Sequence, residues 1–215
     1  MALLSEKDRK YLINEFNNKL NKEVKLIYFS QEIECNYCRE TREILNELIG
    51  LSDKIKLEEY NFVNDKEMVE KYNIDKIPAI AVIGDKDYGI RYFGVPAGYE
   101  FSSLIEDIID ISNETTDLSE NTKNKLKTID KEIHIQVFVT PTCPYCPGAV
   151  RTAHKFAIES EYIRGDMVES TEFPQLANKY GVYAVPKIVI NESISFEGAL
   201  PEDNFLDYIL SALKN

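Results

Sequence analysis

The chain contains no tryptophan, three methionines, two histidines and four cysteines in 215 residues. Two histidines are too few for a histidine-rich metal site, and four cysteines are too few for a disulfide scaffold to replace a hydrophobic core. Positive charge is also short, with 25 Lys and Arg against 37 Asp and Glu and a formal charge of −12. Such a surface repels phosphate backbones and anionic lipid, so neither nucleic acid nor a membrane is an expected partner. No apolar run approaches the roughly 18 residues of a membrane-spanning helix. The N-terminal residues turn charged at Glu6 before an apolar signal segment forms. A cytosolic protein is expected, and in reducing cytosol paired cysteines serve catalysis, redox sensing or metal binding more often than structure.

What is present is a repeat. Cys35-Asn36-Tyr37-Cys38 matches Cys143-Pro144-Tyr145-Cys146, Lys71-Tyr72 matches Lys179-Tyr180, and Ile77-Pro78 matches Val185-Pro186, all at an offset of 108 residues. Two chance Cys-x-x-Cys pairs would not keep the same 43-residue distance from first cysteine to proline. The pattern reads as an ancestral duplication, with one unit over residues 1–115 and a second over 116–215, divided at the polar stretch Ser112 to Asp117.

Local patterns repeat as well. Val24 to Ser30 and Ile133 to Thr140 are β-rich apolar runs ending just before the cysteine loops, so they read as buried strands. Apolar residues at helical spacing follow each loop, including Ile44, Leu45 and Leu48 in the first half and Val150, Ala153 and Phe156 in the second. Strands are expected at 56–62 and 164–168, short helices at 66–72 and 173–180, and hairpins after each proline at 79–93 and 187–197. Helices at 100–112 and 201–213 close the units, and helices at 5–20 and 118–130 lead them. The fold class is α/β, with a mixed β-sheet flanked by helices in each half.

A thiol reacts as its thiolate, so a redox cysteine needs a lowered pKa and access. A strand-to-helix turn supplies unpaired backbone N–H groups and the positive end of the helix dipole. Cys35 and Cys143 are therefore the expected nucleophiles. Cys38 and Cys146, three residues on, are placed to resolve a mixed disulfide. Pro78 and Pro186 cannot donate a ladder hydrogen bond, and a cis bond there would leave the backbone of Ile77 and Val185 free to pair with an extended client strand. Tyr37 and Tyr145 inside the loops are candidates to contact client or simply to fill a helix-start position.

The two halves, each with Cys-x-Tyr-Cys and a later Ile-Pro or Val-Pro step, resemble the protein disulfide oxidoreductases of thermophilic archaea and bacteria. The segments GIRYFGVPAGYEF (89–101) and VFVTPTCPYCPGAVRTAHKFAIE (137–159) carry the resemblance beyond a bare Cys-x-x-Cys. It implies two tandem thioredoxin-like units, dithiol–disulfide exchange on protein clients with some isomerisation, and no cofactor beyond the redox disulfides. It also implies electrons from a thioredoxin-reductase-like flavoprotein, with Pro78 and Pro186 as cis-prolines. The Cys-Pro-Tyr-Cys loop is similar to that of glutaredoxins as well. Thioredoxins carry a buried aspartate six residues before the first cysteine, where Phe29 and Val137 stand here.

Two other readings stay open on the residues alone. Four cysteines can hold zinc or an iron–sulfur cluster, although the 105 residues between the pairs far exceed the spacing of roughly 15 to 20 in zinc ribbons. A redox-slow, peptide-gripping holdase is the other. His134 and His154 are expected to serve packing or solvation. The two cysteine sites are expected to be unequal. Glu32, Glu34 and Glu40 crowd the first, whereas Thr140-Pro141-Thr142 precedes Cys143 and Lys187 follows the second proline, where it could face the sulfur. Cys143 is expected to be the more acidic thiol.

Overall fold

The computed structural model describes residues 4–213 of the chain. The first half comprises α1 (Glu6–Lys19), β1 (Val24–Ser30), α2 (Cys38–Ile49), β2 (Ile55–Asn61), α3 (Lys66–Lys71), β3 (Ala79–Ile83), β4 (Asp87–Phe93) and α4 (Glu100–Asn113). The second comprises α5 (Glu120–Leu126), β5 (Ile133–Val139), α6 (Cys146–Glu159), β6 (Ile163–Glu169), α7 (Pro174–Lys179), β7 (Lys187–Ile190), β8 (Ile194–Glu197) and α8 (Glu202–Ala212). Ser5 caps α1 by accepting from the Asp8 N–H, and Ser119 caps α5 by accepting from Thr122.

All eight strands join one sheet in the order β2-β1-β3-β4-β6-β5-β7-β8. The halves meet at the parallel β4–β6 pairing, Ile90 to Gly165 through Phe93 to Val168. In each half the βαβ unit pairs in parallel, β1 with β2 and β5 with β6, and the hairpin adds antiparallel strands, the βαβ pair lying at the sheet edge in the first half and at the centre in the second. Strands β1, β4, β5 and β6 therefore run the same way, and the loops after β1 and β5 emerge at one edge of the sheet.

Alternation along each strand sorts the core into two layers. Leu26, Tyr28, Val137, Ile188 and Ile190 face the side covered by α2, α4 and α6, whereas Ile27, Phe29, Ala79, Phe138 and Val189 face the side covered by α3 and α7. The helix expected at 118–130 is shorter, Glu120 to Leu126, although Leu118 and Ile129 are buried at its ends. Ser112 and Asn113 belong to α4. The Ser112 hydroxyl accepts from Asn21 and Lys22 N–H at 2.9 Å each and donates to the Lys22 carbonyl at 2.7 Å, so this polar stretch ties α4 to the α1–β1 turn.

Candidate active site

Each cysteine loop follows a central strand, and each second cysteine is the first residue of its helix, behind Tyr37 or Tyr145 as the N-cap. Both pairs form disulfides, Cys35–Cys38 and Cys143–Cys146, with Cα atoms 5.5 Å apart in each. The first cysteines stand in the turn ahead of the helix, where the free N–H groups of its first turn point at them. At the second site this is explicit: the Cys146 N–H donates to Cys143 Sγ at 3.1 Å. No such bond reaches Cys35 Sγ among the described residues. The second cysteine of each pair is buried, Cys38 at 6% exposure and Cys146 at 0%, and Cys143 shows 8%, whereas Cys35 is half-buried.

Ile77-Pro78 and Val185-Pro186 are both cis. The Pro78 carbonyl accepts from the Gly94 N–H at 2.9 Å, and the Pro186 carbonyl from Gly198 at 2.8 Å, so each proline starts its hairpin in the same way. Ile77 and Val185 lie just outside the strands. The Val185 carbonyl oxygen is 3.7 Å from Cys143 Sγ, so the backbone ahead of the second cis-proline lies beside that sulfur. Tyr37 and Tyr145 are 42% and 73% exposed and cover no sulfur from below. Glu34 is exposed and adopts a left-handed φ of 59° immediately before Cys35.

The two loops differ in length. On the α2/α6 side of the sheet Tyr28 matches Val137, and on the opposite side Phe29 matches Phe138, an offset of 109, while the cysteines differ by 108. The first loop thus has one residue more, and Tyr28 rather than Phe29 occupies the place beneath the first disulfide. Its hydroxyl donates to the Cys38 carbonyl at 2.6 Å, and burial pushes its phenol up from the ordinary range. Arg42 lies over the Tyr28 ring and pairs with Glu59 at 2.8 Å. A cavity of about 430 Å³ beside this disulfide is lined by Cys35, Cys38, Arg39, Arg42 and Glu59, among others.

Lys187 does not face a sulfur. It shares parity with Val189, on the side away from α6, and its ammonium donates to the Gly181 carbonyl at 3.0 Å. Period-two alternation decides this: the residue straight after Pro186 points away from the helix that carries the cysteines.

Three acidic groups with no local signal in the sequence lie between the two cysteine loops. Glu100, in the first turn of α4, is 1% exposed and accepts from Ser103 Oγ at 2.8 Å; its other oxygen is buried without a partner among the described residues. Burial pushes its carboxyl up to about 7. Helices α4 and α6 run side by side, with His154 Nδ1 donating to Asp107 at 2.6 Å and the Tyr99 N–H donating to the Pro141 carbonyl at 3.1 Å, which sets the start of α4 against the second cysteine loop. Gly98 permits that contact, since a Cβ there would stand 2.1 Å from the Pro141 oxygen and its φ is +60°. Glu169 and Glu172 follow on β6 and its loop.

The sulfurs cannot form one four-cysteine centre within the chain. From β1 to β5 is four strand spacings, roughly 19 Å at 4.8 Å each. Among the described residues no group of three or more His, Cys, Asp or Glu is arranged to hold a metal ion, and no helix is long and apolar enough to cross a membrane.

Comparison with known proteins agrees with this geometry. A thioredoxin domain model matches residues 133–211. A protein disulfide oxidoreductase from Aeropyrum pernix superposes with a TM-score of 0.91 at 33% identity, covering 97% of this chain and 93% of the other. The alkylhydroperoxide reductase AhpF from Enterococcus faecalis superposes at 0.88 with 25% identity, covering 95% and 98%. Among curated relatives, an NADH dehydrogenase from Ferdinandcohnia aciditolerans is 25% identical over 139 residues, and an alkyl hydroperoxide reductase chain from Staphylococcus aureus is 22% identical over 154. The matches cover 64% and 71% of this chain but only 27% and 28% of those relatives.

Proposed function

The chain belongs to the protein disulfide oxidoreductases, and from that premise we propose that its two cysteine pairs work as separate exchange sites of unequal character, one in each unit, with the division at residues 115 and 116. The activity is dithiol–disulfide exchange. In the reducing direction the thiolate of Cys35 or Cys143 attacks a client disulfide, one client sulfur leaves as thiolate, and a mixed disulfide forms. Cys38 or Cys146 then attacks the enzyme sulfur of that bond, releasing the second client thiolate and leaving the enzyme disulfide. Two electrons pass to the client, and the reverse sequence oxidises a client dithiol.

Ile77 with Pro78, and Val185 with Pro186, hold the client backbone beside the nucleophile, while Tyr37 and Tyr145 offer exposed rings to it. At roughly 19 Å the two pairs are too far apart to exchange with each other in one rigid chain, so each must meet its own client or donor. No cofactor besides the sulfurs is invoked. A thioredoxin-reductase-like flavoprotein is the proposed electron donor, a reading supported by the relatives named NADH dehydrogenase. Nicotinamide supply and reduced thiols both suit a cytosolic setting.

The observation that carries the assignment of roles is the burial of Cys38 and Cys146 behind the more forward Cys35 and Cys143. Trapping tests it. Cys38→Ser and Cys146→Ser proteins, reduced and mixed with oxidised insulin, are expected to accumulate adducts through Cys35 and Cys143 respectively. Adducts formed instead through Cys38 or Cys146 in the Cys35→Ser and Cys143→Ser proteins would reverse the roles.

A further inference from the structure

The first site leans on a carboxyl pair supplied by the second half. Glu169 ends β6, is 2% exposed, and packs with Glu172 against Gly94, where a Cβ would stand 2.6 Å from Glu169 Cβ and 2.9 Å from Glu172 Oε1. Glu172 Oε1 accepts from the Val95 N–H at 2.6 Å. The Gly94 N–H, one residue earlier, donates to the carbonyl of cis-Pro78. A single span of backbone thus links the first site's proline to a side chain of the other unit.

The pair has an unbalanced inventory. Glu169 Oε2 accepts from Thr171 Oγ at 2.6 Å and from the Glu172 N–H at 2.7 Å, while Glu169 Oε1 and Glu172 Oε2 are both buried with no hydrogen-bond partner among the described residues. The groups that face Glu172 are Glu169 from β6, Glu40 from α2 and the neutral Tyr28 phenol from β1, with no cation among them. Two desolvated carboxylates placed together in this way would repel. A proton on Glu172 leaves that carboxyl neutral and removes the repulsion.

We propose that Glu172 is a positioning residue for the first redox site, holding a proton beside Glu169 and clamping the Val95 amide so that the Gly94–Pro78 segment is held ready for a client strand. The proposal rests on the first pair being an exchange site. Burial pushes the Glu172 carboxyl up to about 7, so the clamp is protonated below neutrality and loses its proton as pH rises past that point. Client affinity at the first site then falls with pH in a way the second site does not share.

The test uses full-length proteins with one pair left active: Cys143→Ser/Cys146→Ser for the first site and Cys35→Ser/Cys38→Ser for the second. Insulin is the client. In the first-site background Glu172→Ala is expected to raise KM by about fivefold to tenfold with kcat changed less than about twofold, the loss of one neutral hydrogen bond. Glu172→Gln, whose amide oxygen accepts from Val95 and which stays neutral at every pH, is expected to restore KM and to flatten its rise between about pH 6 and 8. In the second-site background neither change is expected to matter. An active first site indifferent to Glu172→Ala, equal effects at both sites, or a Glu172→Gln protein as impaired as Glu172→Ala would overturn the proposal alone. A first-site protein that is inactive with Glu172 intact would overturn the reading of that site as well.

Discussion

A buried contact that joins the two halves away from the sheet is built on Asp107, and its removal makes a quantitative test. Asp107 of α4 is fully buried; it accepts from the Tyr92 hydroxyl and the His154 Nδ1–H and pairs with the Arg151 guanidinium of α6. Arg151, 6% exposed, also reaches Glu106 at 3.0 Å and Asp110. Burial first, and the Arg151 charge second, push His154 down to about 3, so its ring is a neutral donor. Arg151→Met keeps the apolar stem and removes the charge, leaving a buried carboxylate with two neutral donors. Stranding one partner of a buried pair typically costs about 3 to 5 kcal/mol. Easier protonation of His154 without Arg151 will offset part of this. For a chain of this length each kcal/mol lowers Tm by about 2 to 4 °C, so a drop of roughly 6 to 20 °C is expected before that offset. Urea unfolding is the assay, with Asp107→Asn and the double variant completing a cycle. The double variant should lose clearly less than the sum of the singles, by at least about 1.5 kcal/mol, because a neutral amide in place of the carboxylate no longer needs a cation. An Arg151→Met loss under about 1 kcal/mol, or strict additivity, would refute the reasoning.

Three further outcomes are expected. Glu100 and Glu172, both raised from 4.5 to about 7 by burial, bind more protons folded than unfolded, so stability should fall as pH rises from about 4.5 to 7, by up to about 3 kcal/mol per group. At Asp87 and Asp166 burial works in the upward direction but is outweighed by Arg91 and Arg164, which hold both carboxyls below the ordinary range; their contribution is lost only as pH falls below about 4, so Tm should peak near pH 5. A Tm still climbing from pH 5 to 8 would contradict this. Gly98→Ala should displace Pro141 and slow the second site while the first keeps its rate, read with single-pair proteins. Cys143 should titrate below Cys35, because the Cys146 N–H bonds its sulfur; thiolate absorbance against pH in Cys35→Ser and Cys143→Ser proteins decides it, and a lower midpoint for Cys35 would reverse the order.

What the sequence makes legible is what depends on neighbours in the chain. Strands β1, β3, β7 and β8 lie where their apolar runs place them, and the cysteine loops and proline steps carry their chemistry in a few adjacent residues. What it hides depends on long-range packing. Nothing in DYGIRYF or IRGDMVE announces that β4 and β6 will pair and merge two half-sheets into one. The extra residue before Cys35 is invisible when cysteines and prolines alone fix the offset, so that offset aligns Phe29 with Val137 where Tyr28 belongs. The direction of Lys187 follows from counting alternate positions back from Ile188 and Ile190. Glu100, Glu169 and Glu172 look like ordinary surface acids, and only contact with the opposite half buries them.

Catalysed reduction of insulin by dithiothreitol, followed as precipitation of the freed chains, tests the central claim most directly. The wild-type protein is expected to shorten the lag and raise the rate, each single-pair protein to retain part of that activity, and the Cys35→Ser/Cys143→Ser protein to fall to the uncatalysed rate. A double variant as fast as wild type would contradict the account.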